Sequence, residues 1–157
     1  MKTLKKIILF ISIATLFSCS TNDEIDDTIG GEGTLTAKVS GVDFTSFKAS
    51  VSAVVTNGIL SVQGSNSSGD YIRISISSYN GVGTYKTGDA ITNTSSVMYG
   101  TISPVAAWSS TFDIGSGSIE ITEETATSIS GTFTFTGFNG SSDSKQITDG
   151  KFNAPKN

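Results

Sequence analysis

Nine carboxylates follow residue 33: Asp43, Asp70, Asp89, Asp113, Glu120, Glu123, Glu124, Asp143 and Asp149. Two of them held roughly 5 to 9 Å apart would be enough for glycoside hydrolysis. The rest of the catalytic repertoire is thin. The chain has no histidine, so it has no His-based triad, no imidazole acid or base and no His-containing zinc site. Its one cysteine is Cys19, next to the apolar N-terminal run. No phosphate loop or dinucleotide fingerprint occurs. Most of the carboxylates neighbour Gly, Ser or Asn, where a solvated turn is the ordinary role of Asp. The reading is therefore a non-enzyme, with a carboxylate hydrolase as the lesser alternative. No metal site is assigned. The oxygen-rich turns "SNSSGD" and "NGSSDS" make calcium an alternative, although neither has EF-hand spacing. A third chemistry is stacking. Tyr71, Tyr79, Tyr85, Tyr99 and Trp108 pair a ring with a polar handle, and a sugar face can lie on such a ring. Trp108, Tyr79, Tyr85 and Tyr99 are the ligand-binding candidates, Trp108 first because it follows Pro104 in what reads as a loop.

These side chains must be positioned by strands. Ile72, Ile74 and Ile76 alternate with Arg73, Ser75 and Ser77, a period of two. Leu35, Ala37 and Val39 alternate likewise, and Val42 and Phe44 follow a turn near Gly41. Phe47, Ala49, Val51, Ala53 and Val55 read as the next strand. That strand ends at Asn57-Gly58, the favoured pair for a two-residue hairpin loop. Leu60 and Val62 return the chain. A short strand at Tyr85 and another at Val97 and Tyr99 come next, then "SPVAAWSS", read as one helical turn before Phe112 and Ile114. Ile119 and Ile121 form a strand. Ile129, Phe133 and Phe135 share one face of another, with Thr132, Thr134 and Thr136 opposite, and Ile147 and Phe152 close the chain. No repeat of fixed period is evident. Ser and Thr make up almost a third of the residues. The expectation is an all-β domain over residues 34–157, a single antiparallel sandwich or flattened barrel of about nine to ten short strands.

The first 33 residues follow a different rule. Lys2, Lys5 and Lys6 precede an apolar run from Ile7 to Phe17. That run suits a signal peptide and falls short of the roughly 18 to 20 residues needed to span a bilayer. "LFSC", Leu16 to Cys19, resembles the lipobox of bacterial lipoproteins. The resemblance implies cleavage after residue 18 and a covalent lipid on Cys19, which consumes the thiol and leaves no cofactor to assign. Each buried CH₂ contributes roughly 0.8 kcal/mol, so two or three chains hold a protein on a membrane.

Residues 19–33 then read as the lipidated Cys followed by an acidic flexible tether. The tether segment of 14 residues, 20–33, has a mean reach of roughly 20 Å. Asp23, Glu24, Asp26 and Asp27 behind an acylated Cys are similar to the surface-export signal of Bacteroidota lipoproteins, and Ser20 disfavours inner-membrane retention in the familiar sorting rule. Asp27-Thr28-Ile29 resembles the O-glycosylation tripeptide of the same group, with Thr28 as acceptor. Without residues 1–18 the balance is 7 basic against 14 acidic residues. Nucleic acid is a poor partner for such a charge.

Four stretches, "LTAKVSGVDF", "GVGTYKTGD", "SGTFTFTG" and "ITDGKFN", in that order, resemble small Bacteroidota lipoproteins of a domain-of-unknown-function class. The resemblance spans about residues 34 to 154 and implies an all-β domain and a lineage, with no activity to carry over. The resulting expectation is a lipid-anchored outer-membrane protein, facing the medium, with the periplasmic face as the alternative location. Its role would be a non-catalytic binding module for a glycan or an envelope protein. A structural accessory subunit of an outer-membrane complex is the alternative, using a sheet edge or "SPVAAW".

The lipid is directly testable. Radiolabelled palmitate should enter the wild-type chain and not Cys19→Ala, and the variant should stay uncleaved; equal labelling of both would remove the anchor.

Overall fold

The computed structural model describes residues 33–140 and 142–157. The signal segment, Cys19, the acidic cluster and Thr28 lie outside the described residues. Eleven strands follow in chain order. They are β1 (Thr34–Val39), β2 (Val42–Thr45), β3 (Ser52–Thr56), β4 (Ile59–Ser65), β5 (Tyr71–Ile76) and β6 (Gly83–Thr87), then β7 (Ser96–Ile102), β8 (Val105–Thr111), β9 (Ser116–Glu124), β10 (Ser128–Asn139) and β11 (Asp143–Pro155). All strand pairings are antiparallel. The all-β expectation holds, with one or two strands more than counted from the sequence.

The sheet runs β2-β1-β11-β10-β8-β7-β5-β4-β3, and β9 and β6 extend from β10. It curls on itself. The outer edge of β10 pairs with β9 from Ile129 to Thr136 and then with β8 at Phe138. The far edge is drawn in at β3, where Ala53 forms a parallel bridge to Lys156 and the Asn157 N–H donates to the Ala53 carbonyl at 3.0 Å. The result is a flattened half-barrel whose inner face is the core.

The core follows from period two. Leu60, Val62, Ile72, Ile74, Ile76, Val97, Ile119, Ile121, Ile129 and Ile147 are fully buried. β-Branched side chains predominate, and these suit a pleated, half-buried surface. Two hairpins use two-residue loops with both residues at positive φ, Ser40-Gly41 (49° and 85°) and Asn57-Gly58 (51° and 73°), as strand twist requires.

One irregularity shapes the sheet. Between Ile147 and Gly150, β11 spends one residue more than either neighbour: Phe135 and Phe133 face its ends from β10, while Lys38 and Thr36 face Thr148 and Lys151 from β1. Asp149 takes up the extra residue at φ 52°. Gly150 then lies under the Phe133 ring, where a Cβ would sit 2.6 Å from the ring Cδ2. The "TDGK" stretch is thus a bulge that bends β11 and seats an aromatic.

Three expectations need correction. "SPVAAWSS" holds no helical turn. Ile102 and Val105 flank a two-residue Ser103-Pro104 loop, and β8 runs on from there with Trp108 and Ser110 inward. Phe112 and Ile114 sit in and after a tight turn and are exposed, with Phe112 at φ 52°. The run from Phe47 to Val55 is not one strand. Lys48–Ser50 is a 3-10 turn, and Phe47 and Val55 are exposed while Val51 and Ala53 are buried. The Ser50 hydroxyl causes the break. It lies 2.8 Å from the Phe47 carbonyl and 2.9 Å from the Ser65 carbonyl, and accepts from the Ser65 N–H at 2.9 Å. A side chain that satisfies the backbone locally competes with the strand ladder.

Phe133 and Phe135 are 2% and 3% exposed, whereas Thr134 points outward. Replacing either Phe by Ala should cost roughly 3 to 5 kcal/mol in denaturant unfolding. Thr134→Ala should stay within about 0.5 kcal/mol. The reverse order would place the strand one residue out of register.

Candidate functional site

Tyr99 and Trp108 are directly opposite on β7 and β8, and their rings stack with centroids 5.9 Å apart. Phe44 meets Tyr99 edge-on at 6.2 Å. Tyr99 and Trp108 are each only 7% exposed. Trp108 is therefore a core residue of a strand and not a loop residue, and rings buried this way offer little face to a sugar. The Lys145 ammonium lies 4.5 Å from the Trp108 ring centroid and caps the cluster. The buried Trp108 indole N–H has no acceptor among the described residues. The Tyr99 hydroxyl donates to Asp70 at 3.3 Å. Burial first, then the Asp70 charge, pushes the Tyr99 phenol up to about 12.

Tyr79 and Tyr85 also pair, with centroids 5.8 Å apart. The Tyr85 hydroxyl donates to the Gly81 carbonyl at 2.8 Å and accepts from the Asn80 N–H at 3.1 Å, which pins that loop. The Tyr79 hydroxyl donates to Glu124 at 2.9 Å, and the Lys156 ammonium donates to the other Glu124 oxygen at 2.9 Å. The Lys156 hydrogen bond first, then that of Tyr79, holds the Glu124 carboxyl below its usual range. Burial and the Glu124 carboxylate raise Tyr79 well above the ordinary phenol value. This clasp ties the loop before β6 to the ends of β9 and β11. It accounts for both tyrosines structurally.

The remaining carboxylates are scattered. Asp43 faces Lys38 at 3.6 Å on the surface. Asp89 accepts from Asn93 at 2.7 Å. Asp149 sits in the bulge, and Asp113, Glu120, Glu123 and Asp143 are exposed. Among the described residues, no three of His, Cys, Asp and Glu gather as metal ligands would. In "SNSSGD" the Asn66 side-chain oxygen accepts from the N–H groups of Ser68 and Asp70, so the turn satisfies itself.

A larger concavity lies elsewhere, a cleft of about 840 Å³. Its floor is the outward row of three strands: Ser52 on β3 is paired with Gln63 on β4, Gln63 with Arg73 on β5, and Ser65 with Tyr71 beside them. The 3-10 turn with Lys48 forms one wall, and Pro155 and Asn157 form the other. Gly33, where the described chain begins, also lines it. Arg73 and Lys48 bring two cations. Sequence reasoning missed this site except for the polar handle of Tyr71. The available signal was Arg73, the only arginine in the chain, facing outward from the clearest strand.

The Glu124 clasp has a definite pH signature. A lowered folded-state carboxyl pKa contributes stability above the unfolded value of about 4.3, and that contribution is lost as pH falls through the folded pKa. Glu124→Gln should lower stability at pH 7 by up to about 1 kcal/mol, as for a partly exposed ion pair. The gap to wild type should close as the solution is acidified. A gap that persists at pH 2 in unfolding curves would mean that the carboxylate charge is not what the clasp uses.

No curated protein and no solved structure matches the chain. A family model, a domain of unknown function (DUF6252), matches residues 32–154, which includes every strand up to all but the last residue of β11. The four stretches that open, centre and close the domain all fall within that match, and the chain belongs to the DUF6252 family.

Proposed function

We propose that the chain is a lipid-anchored binding module of a bacterial outer membrane, of the Bacteroidota type, facing the medium and acting without catalysis. The observation that carries the binding role is the cleft between the 3-10 turn and the end of β11. Its size lies within the range of about 300 to 1,000 Å³ usual for ligand sites. Its floor is hydrogen-bonded sheet, so ligand would meet a surface already in place. The anchor and the address rest on the sequence: the lipobox at Leu16–Cys19 and the acid behind it. The tether joins the domain at Gly33, on the cleft wall, so binding would occur close to where the chain is held.

A specific observation favours the accessory-subunit alternative. Ile102 and Val105, which flank the Ser103-Pro104 loop, are 57% and 88% exposed. An apolar hairpin tip of this kind suits contact with an envelope protein. A pull-down from outer membrane separates the readings: a stoichiometric partner lost with Val105→Asp supports the subunit, and glycan retention without such a partner supports the module.

Location is tested by charge alone. Changing Asp23, Glu24, Asp26 and Asp27 to Asn or Gln keeps tether length and removes four charges. The variant should still fractionate with the outer membrane, and protease added to whole cells should no longer cut it. Cleavage equal to wild type would show that the acid is not the address. Protection of both proteins would place the domain in the periplasm.

A further inference from the structure

The cleft on β3, β4 and β5 is electrostatically out of character with the chain. Among the described residues there are 7 basic and 9 acidic side chains. None of the cleft residues is Asp or Glu, while Lys48 and Arg73 both line it. Among the described residues, neither cation has a carboxylate partner. The ion pairs among the described residues are Lys38–Asp43 and Lys156–Glu124. Arg73 makes one long hydrogen bond, 3.4 Å from its Nη2 to Gln63, and its Cζ stands 6.0 Å from the Tyr71 ring centroid. Among the described residues, most of its five N–H donors have no acceptor, in a fork shaped for a carboxylate.

The surroundings indicate what carries that carboxylate. Gln63 offers an amide and Ser52 a hydroxyl, next to the half-buried ring of Tyr71. Amide, hydroxyl and ring together suit a pyranose, whose hydroxyls need donors and acceptors and whose C–H face needs a ring. Among the cleft residues no exposed Leu, Ile, Phe or Met is present to anchor a peptide. The volume far exceeds an isolated phosphate. The walls are held in place. Ser50 fixes the 3-10 turn to Ser65, the Phe47 N–H donates to the Ser65 carbonyl at 2.8 Å, and the Gly33 N–H donates to Asn153 at 2.9 Å. A side chain at Gly33 would collide with Lys48, with a Cβ 2.7 Å from its Cγ, so the chain entry and the cationic wall are packed together.

We propose that this cleft binds a carboxylate-bearing saccharide, with Arg73 gripping the carboxylate, Lys48 adding the second positive charge, and Gln63, Ser52 and Tyr71 reading the ring. The proposal rests on the binding-module reading above and names its ligand class.

The test uses the full-length chain and a matched pair of probes, oligogalacturonate and its methyl ester, which share a ring and differ in charge. A wider set of uronic-acid and sialic-acid glycans with uncharged counterparts accompanies them. Titration calorimetry should show binding of acidic sugars that weakens as salt rises from about 0.05 M to about 0.5 M. Arg73→Gln should weaken it about tenfold or more, as expected for loss of a charge-assisted fork. Lys48→Gln should weaken it several-fold, and Lys151→Gln, outside the cleft, should leave it unchanged. Arg73 and Lys48 are exposed, and unchanged unfolding midpoints in their variants confirm that folding is intact. Equal binding of acid and ester would overturn the charged ligand class while leaving the module. Undiminished acidic binding in both cleft variants would overturn the site. Binding of polyglutamate in place of any sugar would overturn the saccharide. No binding across the whole set, acidic and uncharged, would overturn this proposal and remove the cleft from the module reading.

Discussion

The pairing of β10 with β11 is the constraint on which the rest of the molecule depends. It holds eleven residue pairs in register, from Ser128 opposite Pro155 to Asn139 opposite Asp143. Each long strand serves two neighbours along its other edge. β10 carries β9 and then β8, and β11 carries β1 and then the bridge to β3. One hairpin therefore joins both flanks of the curled sheet. The bulge at Asp149 lets this work, because a long straight strand could not follow the curvature of both flanks. Phe133 against Phe152, with ring centroids 6.3 Å apart, fills the space inside the bend.

Curling brings polar groups inward, and the chain handles them with short hydroxyl side chains. Thr87 on β6 and Ser110 on β8 share a buried hydrogen bond of 2.7 Å between strands that do not pair. Ser95 is buried too, and accepts the Ser77 N–H at 3.0 Å. A buried hydroxyl with a partner costs little, whereas an orphaned one costs roughly 1 to 3 kcal/mol. The high Ser and Thr content is thus structural in part. It closes the gap between the two branches from β10 where no backbone ladder exists.

This division explains what could be read in advance. Ile72, Ile74 and Ile76, or Phe133 and Phe135, announce their strands because one face is buried and the other is not. Asn57-Gly58 announces its hairpin because few residue pairs accept two positive φ angles. Trp108 was misread for the opposite reason. Ala106 and Ala107 are small on both faces, so the period of two vanished just where a proline suggested a loop. The break at Ser50 was hidden as well, since its acceptor, the Ser65 carbonyl, is fifteen residues away. The cleft was out of reach for the same cause on a larger scale. Gln63 and Arg73 are ladder partners, but only the curl of the sheet brings Gly33, Lys48 and Asn157 to them.

An open, sheet-floored cleft of this sort carries consequences for how a tethered protein would use it. On the proposed reading its contacts would be few and partly solvated, so a single site would release its ligand readily. A lipid anchor changes the arithmetic. Copies confined to one membrane face and a polymer that repeats the recognised unit turn each later contact into an intramolecular event, at an effective concentration set by the tether. On the proposed reading, a tether reach of roughly 20 Å would let neighbouring domains adjust to the spacing of such a polymer. Strength then comes from the number of copies engaged and not from depth of the pocket. On the proposed reading, the shallow cleft and the membrane tether are two halves of one device: a rigid sheet surface selects the charge, and the anchor supplies the avidity that the surface lacks.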